Sequence, residues 1–74
     1  MEMNGMLWFD SDKKRTLTEK IGRAVDYFNK KYGRVPNVCF VNKGVIETVE
    51  MPGITVKPSG IILPNHFLVG IEAA

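Results

Sequence analysis

His66 is the single histidine of the chain and Cys39 the single cysteine. The two side-chain types best suited to proton transfer and nucleophilic attack near neutral pH therefore each stand alone in sequence. For His66 to act as a general base, folding must bring it a nucleophile and an orienting carboxylate. Ser59, Asp10 and Glu72 are the conceivable partners. Its place directly after Pro64-Asn65 also fits a plainer role, closing the turn before the last apolar run. Cys39 lies inside Val38-Cys39-Phe40-Val41 with no base or cation beside it, where a thiol serves as a small hydrophobe. Asp10-Ser11-Asp12 offers hard oxygens to a divalent cation, but two acids are too few ligands and the EF-hand spacing is missing. A turn before a helix uses the same residues. Gly44, Gly53, Gly60 and Gly70 match neither the phosphate loop nor the dinucleotide fingerprint. The expectation is no catalytic set, no metal site, no cofactor and no enzymatic activity.

A second chemistry is electrostatic. Lys20, Arg23, Tyr27, Lys30 and Lys31 fall within about 100° of arc when placed at helical spacing, and Lys13, Lys14, Arg15 and Arg34 carry positive charge past both ends. Cations contact phosphates and a central ring can stack on an unpaired base, so the strip is a candidate nucleic-acid or partner contact. Glu19 precedes Arg23 by four residues and Asp26 precedes Lys30 by four. Such pairs stabilise an ordinary solvated helix and weaken the positive field. A formal net charge of +2 permits a polyanionic partner without demanding one.

The elements that position these residues are readable. Thr16-Leu17-Thr18-Glu19 fits a capping box. Leu17, Ile21, Ala24, Val25, Phe28 and Tyr32 then recur on one stripe, Gly33 supplies a left-handed stop and Pro36 prevents resumption, which predicts a helix over 17–32. Met6–Phe9 before it and Val38–Val41 after it are apolar runs of strand length. Strand, helix, strand is the pattern of a crossover that makes the two strands parallel. Val45 to Glu50 fits either one helical turn or an irregular strand. Pro52-Gly53 is a turn, Ile54-Thr55-Val56 a short strand, and Ile61–Leu63 and Phe67–Ile71 flank Pro64-Asn65-His66. The expected fold is α+β, a small mixed sheet in the order β-α-β-β-β with the one main helix packed on one face. Residues 1–74 form a single domain, with 1–5 expected to be disordered.

Seventy-four residues are too few for two cores, and a domain this small has a thin stability margin. One cysteine allows no intrachain disulfide, so packing or a second subunit must supply that margin. Strands with one wet face alternate apolar and polar residues. Met6–Phe9, Val38–Val41, Ile61–Leu63 and Phe67–Val69 are instead apolar on both parities, and one helix covers only one side of a sheet. The expectation is a homo-oligomer, most simply a dimer, with Trp8 or Phe9, Cys39 or Val41, and Leu68 lining the interface. The competing expectation is that the 42–60 segment folds over that second face. A further protein partner is also compatible.

The start, Met1 to Gly5, lacks a basic leader, and no apolar run approaches the length of a membrane span, so a cytoplasmic location without membrane contact is expected. Leu7-Trp8-Phe9-Asp10, the stretch Tyr32 to Asn42, and Ile62-Leu63-Pro64-Asn65-His66-Phe67 together resemble a group of short bacterial proteins to which no activity is assigned. That resemblance spans Leu7 to Glu72 and implies no cofactor, substrate or catalytic residue.

Overall fold

The helix forms where its signals place it. In the computed structural model, which describes residues 3–47 and 49–72, α1 runs from Leu17 to Tyr32. Glu19 N–H donates to Thr16 Oγ1 and Thr16 N–H donates to Glu19 Oε1, each at 3.1 Å. The reciprocal pair satisfies backbone donors that the first turn cannot use itself. Gly33, at φ 69°, ends the helix and returns its N–H to Asn29 O at 2.8 Å. Only glycine adopts that conformation without a Cβ penalty.

Four strands make one sheet: β1 (Met3–Phe9), β2 (Val38–Asn42), β3 (Thr55–Ser59) and β4 (His66–Glu72). Their spatial order is β1-β4-β2-β3, with β4 antiparallel to both neighbours and β2 parallel to β3. The α+β class expected from the sequence is the class observed. β1 and β2 do run in the same direction, but they are not adjacent, because β4 is inserted between them and pairs with each. Antiparallel pairing needs no crossover, so the last strand can close back between two parallel ones.

Several details differ from the sequence reading; β3 runs Thr55–Ser59, past the Ile54–Val56 strand expected, and takes in Lys57-Pro58-Ser59, which were expected to end it. β1 begins at Met3, and Met3, Asn4 and Gly5 pair with Glu72, Ile71 and Gly70, so these residues are ordered strand; Met1 and Glu2 lie outside the described residues. Ile61–Leu63 is a turn region, not a strand: Ile62 N–H reaches back to Ser59 O and only Ile62 of the three is buried. Residues 45–47 form neither a helical turn nor a strand, while Met51 and Ile54 close a tight turn through a single bridge. At the start of β4, His66 N–H bonds Leu63 O at 3.1 Å and Asn65 sits at φ 64°. Proline second and a left-handed asparagine third is the type II turn pattern.

The core lies between α1 and one face of the sheet. Ile21, Ala24 and Phe28 of the helix meet Cys39, Val41, Phe67 and Val69 of the strands, with Met6, Trp8, Val56 and Ile71 around them. The connection from β2 to β3 runs on the same side. Val45, Val49, Met51 and Ile54 pack against that cluster, and Met51 Cε approaches Gly22 of the helix. Within the segment named as the competing cover for the second face, these four residues widen the cover of the first instead.

Two asparagines fasten the ends of β2. Asn37 accepts the Glu72 N–H at 2.8 Å and donates to Glu72 O at 3.0 Å, bonding β4 as a strand backbone would. Asn42 donates to Ile62 O at 2.7 Å and accepts from Gly44 N–H at 2.8 Å, tying the 61–63 turn to the end of β2. Among the described residues no helix is long and apolar enough to cross a membrane.

Candidate interaction surface

Strand parity assigns every sheet side chain to a face. The registers place Met6 and Trp8, Phe67 and Val69, and Cys39 and Val41 on the helix side. The opposite face carries Gly5, Leu7 and Phe9 from β1, then His66, Leu68, Gly70 and Glu72 from β4. Val38, Phe40 and Asn42 of β2 and Thr55, Lys57 and Ser59 of β3 complete it. On this face Leu7 and Phe9 are exposed, Phe40, Leu68 and His66 are half-buried, and Val38 is buried.

That face has two halves of different character. On the β3 side, Lys57 reaches across to Glu72 with Nζ–Oε1 at 2.8 Å and passes 5.8 Å from the centre of the Phe40 ring. Thr55, Lys57 and Ser59 thus give β3 the polar outer parity of a wet sheet, while Val38, opposite Thr55, is buried. On the β1 side no charge intervenes. Leu7 is 61% exposed and Phe9 59%, beside the half-buried Leu68 and His66. The Phe9 and His66 rings lie 4.9 Å apart, across a directly opposed pair.

Of the five residues expected at a sheet interface, Phe9 and Leu68 lie on the open face. Trp8, Cys39 and Val41 do not: they face α1, with Cys39 0% and Val41 3% exposed, so the expectation is corrected for these three. Burial alone pushes the Cys39 thiol up to about 12, which leaves it protonated and unreactive near neutral pH. Leu7, the most exposed of the apolar side chains on this face, was not singled out from sequence. Its two-residue spacing from Gly5 and Phe9 was the available signal.

The basic strip is divided by its surroundings. Tyr27 tilts its ring onto Trp8, with centroids 5.2 Å apart, and is 48% exposed. Arg23, Asp26 and Lys30 line a shallow hollow of about 280 Å³ around this pair. Lys30 is held by Asp26 at 3.1 Å, and Lys31 lies over the Tyr32 ring instead. Lys20 turns to another hollow of about 540 Å³ at the start of α1, shared with Arg15, Asn42, Asn65 and His66. The indole N–H of Trp8 is buried and has no hydrogen-bond partner among the described residues.

His66 is bonded within its own turn. Its Nδ1 lies 2.9 Å from Pro64 O, a contact that requires the proton on Nδ1 and folds the ring back onto its own turn. Ser59 Oγ accepts from Ile61 N–H, Glu72 holds Lys57, and Asp10 is engaged by Arg15. None of the three is hydrogen-bonded to His66. Among the described residues no group of three His, Cys, Asp or Glu side chains comes together as metal ligands would.

Asp10 is the one buried charged residue of the described chain. Its Oδ1 accepts Asp12 N–H at 3.0 Å, and Arg15 Nη1 lies 3.2 Å from Oδ2. The backbone N–H of Asp12 holds the carboxyl below its ordinary value; burial opposes this, and the Arg15 charge reinforces it. A carboxylate lowered on folding stabilises the native state fully above its unfolded pKa of about 3.9, and that contribution is lost as pH falls through the folded value. Wild type is therefore expected to lose more stability between pH 7 and pH 3 than Asp10→Asn does, read as urea midpoints at each pH. Equal losses would show that this carboxylate does not govern the acid limb.

Comparison with protein-family models, with curated proteins and with solved structures finds no match for the chain.

Proposed function

We propose that this is a small interaction module that self-associates through its sheet, with no catalytic role. One observation carries the reading. The connection between β2 and β3 packs beside α1, and Leu7 and Phe9 stay exposed on the opposite face of the sheet. Single exposed hydrophobes are ordinary, but two large ones adjacent on an ordered strand, bordered by Leu68, form a continuous apolar patch of the kind that marks contact surfaces. The thin margin of a 74-residue domain without a disulfide gives such a contact a stabilising role. The helix strip stands second as a partner site, since Asp26 engages Lys30 and the five side chains open onto different surroundings.

The test is the mass in solution. At roughly 100 µM, a concentration at which even a micromolar dimer is almost fully formed, light scattering should give twice the 8.3 kDa chain mass. The double variant Leu7→Ser/Phe9→Ser should keep the helical circular dichroism and scatter as a single chain. Wild type at single-chain mass over the whole accessible concentration range would end this reading.

A further inference from the structure

Sheet self-association can occur face to face or edge to edge, and the backbone of β1 distinguishes the two. We propose that two copies pair β1 to β1, antiparallel about a two-fold axis at Leu7, joining two four-stranded sheets into one continuous sheet. This rests on the self-association reading above and specifies its geometry.

The pairing follows from which amides are spoken for. Asp10 N–H donates to Asn65 O at 2.9 Å, one step beyond the Phe9–His66 pair. Bonded and non-bonded pairs alternate along an antiparallel ladder. Trp8 and Met6 therefore exchange bonds with Phe67 and Val69, while Gly5, Leu7 and Phe9 turn N–H and C=O away from β4. β1 is an outer strand, so no neighbour takes these groups. Among the described residues no turn, loop or side-chain hydrogen bond reaches them either.

The register then matches itself. An axis at Leu7 sets Leu7 against its own copy and pairs Phe9 with Gly5 of the second copy, and Gly5 with its Phe9. All three carry their side-chain positions on the open face, so each Phe9 ring gains the empty space above a glycine. Aromatic side chains across from glycines compensate for the missing packing in sheets. Met6 comes opposite Trp8 on the helix side. A two-fold contact must be self-complementary in this manner.

The two edges of the sheet differ as an edge used for pairing and an edge guarded against it. Residues 3–9 contain no charge and no proline. β3 carries Pro58, which lacks an amide donor, and Lys57 on its outer parity. Proline and lysine are the usual means by which outer strands avoid pairing. The open face near β3 is likewise polar, which disfavours a face-to-face stack across the whole sheet.

Gly5→Pro tests the edge directly. The Gly5 N–H points outward, so proline there removes no bond to β4, and Gly5 is not among the glycines at positive φ. The variant should retain its helical circular dichroism and fall to single-chain mass, whereas Phe40→Lys, on the open face away from the edge, should remain double. In wild type, hydrogen exchange at Gly5, Leu7 and Phe9 should slow by roughly tenfold or more between dilute and concentrated samples. A folded, dimeric Gly5→Pro overturns the edge geometry while leaving self-association standing. So does rapid exchange of those three amides in a dimeric wild type, which decides the matter if Gly5→Pro does not fold. Wild type at single-chain mass overturns both.

Discussion

Phe28→Ala is expected to leave this protein at the limit of folding. Phe28 is 1% exposed, projects from the C-terminal half of α1 into the cluster with Ile21, Ala24 and Val69, and sets its ring 4.7 Å from that of Tyr32. Truncating a buried phenylalanine removes its transfer free energy and leaves a cavity, together about 3–5 kcal/mol. At about 0.05–0.15 kcal/mol per residue, a 74-residue chain has roughly 4–11 kcal/mol in total. Small domains sit low in that range because so much of their surface stays wet. With a urea m-value near 1–1.5 kcal/mol/M for a chain of this size, the midpoint should fall by roughly 2–5 M. A fall below about 1 M would mean that the helix–sheet layer closes around the void, and that the margin does not depend on this ring.

Much of this core was legible because its signals are local. The capping box, the six-residue stripe and Gly33 lie within one stretch of chain, and each is satisfied by neighbours a few residues away. Strand positions were legible as apolar runs, but their boundaries were not. Met3 to Gly5 have no composition that selects a strand, and they are ordered by pairing with Gly70–Glu72 at the other end of the sequence. Ile61–Leu63 misleads in the opposite direction. Three β-branched or aliphatic residues between Gly60 and Pro64-Asn65 are too few to cross a sheet, so they turn, with Ile62 inward and Ile61 and Leu63 outward.

The candidate surface was legible as a need rather than as a list of residues. Apolar runs on both parities point to a second face that the helix does not cover. Which residues line it depends on parity relative to α1, and no local feature announces that. Cys39 and Val41 are two apart and must share a face, so they could only be buried together or exposed together. Trp8 and Phe9 are adjacent and must separate; the Tyr27 ring settles that Trp8 is the inward one. The polar parity of β3 was also hidden, because Lys57 and Ser59 read from sequence as the turn that closes the Ile54–Val56 strand. On this face it leaves Leu7 and Phe9, both on β1, as the exposed large apolar side chains.

That confinement bears on stability as well as on assembly, and it leads to a second large expected effect. If β1 meets a second copy, unfolding separates two chains, and the melting temperature must rise with concentration. A hundredfold dilution within the range where the dimer predominates lowers the apparent free energy by about 2.7 kcal/mol per dimer, or about 1.4 kcal/mol per chain. Each kcal/mol moves the melting temperature of a domain this size by about 4–8 °C, so the expected fall is roughly 6–11 °C. The Leu7→Ser/Phe9→Ser variant loses little intramolecular packing, since both side chains are mostly exposed in the single chain. Its melting temperature should be low at every concentration and independent of dilution. Wild type that melts within about 1 °C of the same temperature across that range would show that the chain is stable without a second copy. The exposed strand would then need no partner to keep the domain folded.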